Sequence, residues 1–381
     1  MRLSRMNLRF PAAAGLFAAL FVNLALIGCQ EENPLASSPD DLEEPSYRVG
    51  VFYYPWYETP EVDGHWGHWE GGTRYQPPLD IDSDYYPVLG AYSSVDTSVI
   101  AQHFKWLRKA RVGVIMCSWW GQGDYTDRTI PTLLKVAVRY KIKVSFLLEP
   151  YGGRGANELV ADIKYLYSSY GNHPAFYRTN TASRWSPDDR SKGLFFMWGG
   201  IGLEPGETPA AEDPGYWQAA IDTIHALPGG ALVFYDVTDA TFIDKGHFDG
   251  LYNYATLDIN PDFSWAHSLP SDALYVPSVL PGFLVRRNAG PGEQPVILPR
   301  NGGTTYQTQW QAALQTGVQP LMITITTFNE WHEGTQIEPA AKNAANGRGF
   351  TYEDYDSLPT DGYLSLTRPE VEKLERLWPE K

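Results

Sequence analysis

The chain has 381 residues, enough for one large or two ordinary domains. It is 43% hydrophobic, with 13 Trp, 24 Tyr and 16 Phe, so a sizeable core is possible and aromatic rings are left over for stacking on flat faces. With 45 acidic against 30 basic residues, net −15, it argues against nucleic acid and anionic polymers as default partners.

Arg2, Arg5 and Arg9 precede an apolar stretch from Pro11 to Ile27 of signal-peptide length. Leu26-Ile27-Gly28-Cys29 has the pattern of a lipobox. It makes residues 1–28 a lipoprotein signal peptide and Cys29 the lipidated residue, anchoring the protein in a bacterial cell envelope at the outer membrane or cell surface. Residues 29–47 are rich in Pro, Ser and acids and read as a flexible tether. Without residues 1–28 the 30 bases fall by three to 27, against 45 acids. Cys117 then remains alone; it has no partner for an internal disulfide, and its apolar neighbours make it a core residue.

From residue 48 the pattern alternates. Val49 to Tyr54 is a strand that runs into an aromatic loop holding Trp56, His65 and His68. Asp96 caps a helix with apolar residues at helical spacing, and Val112 to Ser118 is the second strand. Residues 128–140 fit a helix with Pro131 in its first turn. Lys143 to Leu148 is a strand, and Asn157 to Tyr170 a helix closed by Gly171 as a left-handed cap. Strands follow at Gly193–Trp198, Ala231–Asp236, Gly250–Tyr254 and Leu274–Val279, with helices at Tyr216–Ala226 and, shorter, Phe263–Leu269. Thr305–Thr316 is a helix, Gln319–Thr327 the eighth strand, and Thr367–Trp378 a last helix with Thr367 and Glu370 in capping-box register.

Eight strands alternating with helices predict an α/β fold: one (β/α)8 TIM barrel over residues 48–381. A doubly wound open sheet is the alternative, but no Gly-x-Gly-x-x-Gly turn follows the first strand. A barrel gathers its strand tips on one rim. Here that rim holds Tyr54, Trp119, Trp120, Glu149, Tyr151, Trp198, Asp236, Tyr254, Ser278 and the run Asn329 to Glu333. Such a cup, aromatic with a few carboxylates, suits a neutral polysaccharide or oligosaccharide. Tyr54, Trp120, Glu149, Tyr151, Tyr254, Asn329 and His332, with Trp56 and His65 of the first loop, are the candidate substrate-binding residues.

Cleaving a glycosidic bond takes two carboxyl groups, one kept protonated by its surroundings. Glu330 and Glu333 are three residues apart at a strand tip, where crowding raises one pKa. They are the candidate catalytic pair, and one of them would serve as a nucleophile on this reading. His332-Glu333-Gly334-Thr335-Gln336 has Gln where a zinc helix needs its second His, so no metal or other cofactor is expected.

These motifs resemble glycoside hydrolase family 99, the endo-α-1,2-mannosidases and bacterial endo-α-1,2-mannanases. The resemblance rests on Val51-Phe52-Tyr53-Tyr54, Glu149-Pro150-Tyr151, Tyr170-Gly171-Asn172-His173-Pro174, Phe248-Asp249-Gly250 and Phe328-Asn329-Glu330-Trp331-His332-Glu333-Gly334. It implies a retaining, endo-acting mannosidase of the barrel fold. It implies that Glu330 is a base on the substrate's own 2-hydroxyl, giving a 1,2-anhydro sugar, and that Glu333 is the acid and then the base. Trp120 matches a position beside the sugar beyond the cleavage point, with Trp as in mannan-directed members. Two departures stand near the sugar: Leu147 where the family usually has His, and Trp198-Gly199-Gly200-Ile201 where it usually has Tyr-Asp-Ser-Tyr. A glycan-binding barrel of low or altered activity in an uptake system, or a glycosidase for a different or modified sugar, are the alternatives. A monomer is expected.

Overall fold

Every apolar run predicted as a strand forms one, because each is buried on both faces and helices cover the outer one. The computed structural model describes residues 42–199, 213–287 and 294–379, with Pro39 and Ala289. Cys29, the signal peptide and most of the tether lie outside the described residues. Ser38–Lys381 packs as one unit.

The strands are β1 (Ser46–Tyr53), β2 (Val112–Trp119), β3 (Lys143–Leu148), β4 (Lys192–Met197), β5 (Ala231–Asp236), β6 (Gly250–Tyr252), β7 (Leu274–Val276 and Ser278–Val279, broken at Pro277) and β8 (Ile323–Ile325). Each pairs in parallel with the next. The first piece of β7 pairs with β6 and its second with β8, while β8 pairs with β1 at Val49↔Ile323. The ring therefore closes through one interrupted segment. Alternate residues turn inward, so that Phe52, Met116, Leu147, Phe196, Phe234 and Tyr252 fill the interior as a packed layer rather than a pore. Their neighbours, such as Val51, Ile115, Phe146 and Phe195, face the helices.

Six longer helices cover the outside: α1 (Thr97–Lys109), α2 (Tyr125–Ala137), α3 (Ala156–Tyr170), α4 (Pro214–His225), α5 (Thr304–Leu314) and α6 (Gly362–Leu377). Asp96 caps α1 as predicted, accepting from Ser98 N at 2.8 Å. Only the one-turn helix Thr241–Asp244 stands between β5 and β6, and the helix predicted over Phe263–Leu269 is a 3₁₀ turn, Ser264–Ser268.

Several boundaries differ from the prediction. β1 begins inside the predicted tether, and Arg108 holds the carbonyls of Leu42 and Glu43. α2 starts at Tyr125 because Asp124 caps it, which puts Pro131 in the helix interior. Proline has no N–H for the Asp127 carbonyl four residues back, and Tyr170 Oη donates to that carbonyl instead, at 3.4 Å. Gly171 is right-handed (φ −59°), not a left-handed cap; a Cβ there would lie 2.5 Å from Tyr167 O. α6 starts at Gly362, so Thr367 is a buried interior residue whose hydroxyl donates to Tyr363 O at 2.7 Å, not a cap. β6 stops at Tyr252; two residues on, the Tyr254 N–H goes to the Asp236 carboxylate at 2.7 Å. β8 is shorter than predicted for a reason that belongs to the site.

Candidate active site

After Ile325 the chain leaves the sheet and pairs with itself. Thr327 N donates to Thr335 O at 3.0 Å, and Glu338 N donates to Phe328 O at 2.8 Å. The intervening residues form a tight loop on the rim. Gly334 turns it with φ +60°, and a Cβ there would sit 2.7 Å from Leu284 O. The buried Arg300 guanidinium donates to Gly334 O at 2.9 Å and Gln336 O at 2.8 Å.

The loop is bolted to the tip of β1. Asn329 Oδ1 accepts from Tyr54 N at 2.7 Å, and its Nδ2 donates to Tyr54 O at 2.9 Å. Its Nδ2 also donates to Tyr92 Oη at 3.3 Å, and the structure gives this substrate-binding candidate a bracing position. Tyr57 Oη donates to Asn329 O at 3.0 Å and accepts from Trp331 N at 3.2 Å. Both flanks of Glu330 are held.

Glu330 Oε1 accepts from His332 N at 2.9 Å and from His332 Nδ1 at 3.0 Å. The other ring nitrogen, Nε2, faces the His68 carbonyl at 2.8 Å. A carboxylate and a carbonyl only accept, so both ring nitrogens must donate and His332 is an imidazolium. Burial opposes that charge, but the bond and charge of Glu330, with Asp82 beyond, raise its pKa to about 9. His68 shows the opposite: burial, with the charge of His332, lowers it to about 4, leaving it neutral.

Glu333 has no such cation bonded to it. Tyr254 Oη donates to its Oε2 at 2.9 Å, and the Tyr54 and Tyr254 hydroxyls are 2.7 Å apart, so Tyr54 donates to Tyr254. Burial first, and then the charge of Glu330, raise Glu333 to about 8. Glu149, at the tip of β3, accepts from Ser118 Oγ at 2.7 Å, and burial raises it to about 8. Asp236 is raised to about 7 by burial. The rim therefore holds one anion fixed by a cation, and three carboxyls driven toward the neutral form.

Beside this cluster lies a cleft of about 430 Å³ lined by Trp56, Glu58, His68, Trp120, Asp124 and Tyr151, among others. Trp56 stacks on His68 with centroids 4.6 Å apart and planes 5° apart. The indole N–H groups of Trp56 and Trp120 are buried without a protein partner. Tyr151 donates to Asp162 at 2.7 Å and presents its ring to the cleft. His65 stands apart: its side chain is 64% exposed and sits 3.3 Å from Glu58.

Sequence reading passed over the roles of Asp82, Ser118 and Tyr57. Asp236 it placed on the rim without a role. None lies in a pattern that announces it, because each acts through a fold contact. Of the two family departures, Leu147 is buried in the inner layer, and Gly199 O accepts from Arg154 at 2.8 Å; Gly200 and Ile201 lie outside the described residues. Among the described residues no group of three or more His, Cys, Asp and Glu side chains is placed to hold a metal ion.

The family model for glycosyl hydrolase family 99 matches residues 45–376. The chain belongs to this family. As a family member it is a glycoside hydrolase, and the barrel and its acidic rim are those of an enzyme. It is 34% identical over 380 residues to a glycoprotein endo-alpha-1,2-mannosidase of Rattus norvegicus, covering 90% of this chain and 79% of that one. It is 35% identical over 381 residues to the protein of the same description from Xenopus laevis, covering 90% and 82%. The structure of the GH99 endo-alpha-mannosidase from Bacteroides thetaiotaomicron superposes with a TM-score of 0.73 at 29% identity, over 88% of this chain and all of that one.

Two predictions concern this family 99 site. Glu333 loses its proton as pH rises through about 8, so an activity that uses it as an acid falls over that range. The Tyr254 bond favours the charged form of Glu333, so Tyr254→Phe moves that alkaline limb upward, measured as kcat against pH. Gly334→Ala forces a left-handed backbone on a residue with a Cβ and lowers stability by at least ~1 kcal/mol in urea unfolding.

Proposed function

We propose that this protein is a retaining, endo-acting glycoside hydrolase that cleaves α-mannosidic linkages in mannan or mannose-containing glycans, using the substrate's 2-hydroxyl. The observation that carries this reading is the opposite treatment of two glutamates three residues apart. Glu330 is an anion with Oε1 occupied by His332, which leaves Oε2 for a substrate proton. Glu333 is raised to about 8 and so holds a proton at neutral pH. A nucleophile paired with an acid would also need one charged and one neutral carboxyl. The family resemblance implies the substrate-assisted route, and the mannosidase relatives favour an α-mannosidic substrate.

In that route Glu330 takes the proton of the 2-hydroxyl as O2 attacks C1. The C1–O bond to the leaving group breaks, and Glu333 gives that oxygen its proton. A 1,2-anhydro sugar and a glutamate anion at Glu333 result. Glu333 then takes a proton from water, the water oxygen bonds to C1, the C1–O2 bond opens, and Glu330 returns its proton to O2. Two inversions at C1 give net retention. Trp56 and Trp120 line the cleft and offer ring faces to the glycan.

One observation favours a second reading, a different or modified sugar. Leu147, where the family resemblance expects His, is an apolar side chain of the buried inner layer, so that position offers a hydroxyl no hydrogen-bond group. We also propose that Cys29 carries lipid and holds the enzyme, a monomer, at the cell envelope; Cys29→Ala would then move it from the membrane to the soluble fraction.

Incubation with yeast mannan and a panel of related α-mannans, with products identified, tests the substrate. Oligosaccharide release is expected; release only from other glycans would overturn the mannan reading. Glu333→Gln is expected to lower kcat by roughly 10²–10⁴-fold while the protein stays folded and still binds the glycan.

A further inference from the structure

The catalytic loop carries a third carboxylate that the mechanism does not use. Glu338 is fully buried and far enough along the loop to point behind it. Its Oε2 accepts from Tyr92 Oη at 2.8 Å and from Trp331 Nε1 at 3.0 Å. Its Oε1 lies 3.2 Å from His103 Nε2 on α1. His103 Nδ1 is 2.9 Å from Tyr53 Oη, on β1. A carboxylate only accepts, so Nε2 carries a hydrogen and donates to Glu338. Three donors from a loop, a helix and the catalytic turn thus converge on one carboxylate.

A buried carboxylate is a poor way to gain stability, since its desolvation offsets much of what its bonds return. What it does supply is direction. Trp331 is the residue next to Glu330 and two before Glu333, and every polar group it has is tied. Its N–H goes to Tyr57 Oη at 3.2 Å, its carbonyl accepts from Ser83 Oγ at 2.9 Å, and its indole goes to Glu338. Of these ties, those of the indole act on how the side chain, and with it the turn, is rotated: the Glu338 bond and a longer one of 3.3 Å to Tyr92 Oη, which is itself bonded to Glu338. We infer that Glu338 is a positioning residue: through the Trp331 indole it sets the spacing between Glu330 and Glu333 without touching substrate.

This deepens the proposed hydrolase reading and rests on it. In Glu338→Ala Tyr92 and His103 lose their acceptor, the indole keeps only its longer bond to Tyr92 Oη, and the turn relaxes. kcat on the α-mannan substrate is expected to fall by roughly 10–100-fold, as misplacements of about 1 Å do, with KM within about threefold. Glu338→Gln is expected to recover most of kcat. Its amide oxygen accepts from Trp331 and Tyr92, and its NH2 donates to His103 Nε2 once the ring hydrogen moves to Nδ1. Trp331→Phe removes the same link with no change of charge, so Glu338→Ala adds little on top of it. Wider spacing also weakens the repulsion that raises Glu333, so the alkaline limb moves to lower pH in both Glu338→Ala and Trp331→Phe. Wild-type kcat and limb in a folded Glu338→Ala, no recovery with Gln, or multiplicative losses in the double variant would each overturn the inference.

If Glu338→Ala does not fold, Trp331→Phe carries the test alone: a lower kcat with a lowered limb supports it, and an unchanged limb overturns it. If the wild-type protein releases nothing from α-mannans, the mannan reading fails separately. The Glu333 carboxyl can then be titrated by infrared difference spectroscopy without substrate, against Glu333→Gln. A lower midpoint in Trp331→Phe than in wild type supports the positioning role, and an equal one overturns it.

Discussion

Several carboxyl groups are forced into one water-poor rim, and the surroundings decide which of them stays ionised. That decision is the Glu330–His332 pair. His332 donates from both ring nitrogens, to a carboxylate and to a backbone carbonyl, so its charge is set by geometry. With a cation bonded to Glu330, the negative charge collects there. Glu333, a short turn away, has only a phenol for a partner and feels the repulsion. Two identical side chains meet opposite surroundings: one bonds the His332 ring, and the other is pushed up by burial and repulsion.

The pair works only if the turn that carries it is stiff, and the fold supplies the stiffness from several directions. Asn329 clasps the Tyr54 backbone and so ties the loop after β8 to the end of β1, its neighbour in the ring. Arg300 holds the outgoing limb by its carbonyls. Gly334 allows a backbone approach to Leu284 that no other residue fits. None of these groups needs to meet the sugar. They belong to the barrel as much as to the site, which is why the eighth strand gives way so early to a self-paired loop.

The barrel was readable from the sequence because its strands are buried on both faces and its punctuation is local. The same holds for Glu330 and Glu333, which sit together at a strand tip. What could not be read depends on contacts between distant residues. Pro131 looked like a helix start, yet Asp124 caps the helix earlier and Tyr170, some forty residues on, takes up the orphaned carbonyl. Thr367 and Glu370 have the spacing of a cap, but burial of Thr367 puts them inside α6. Asn329 looked like a sugar ligand because it is polar and stands on the rim; only the structure shows its amide spent on Tyr54. His65 and His68 are near twins in sequence, and folding sends one to solvent and the other under Trp56.

In a ring of eight, the strand opposite β8 is β4. The proton-handling groups crowd onto β8 and the adjoining β1, with Tyr254 just past β6, while Leu147 and Trp198, the positions that depart from the family pattern, stand on and after β3 and β4. The Glu330–His332 pair and these two positions therefore stand on different strands of one ring, with the packed interior between them. With that separation, a change of side chain at Leu147 or Trp198 removes no hydrogen bond of the Glu330–His332 pair.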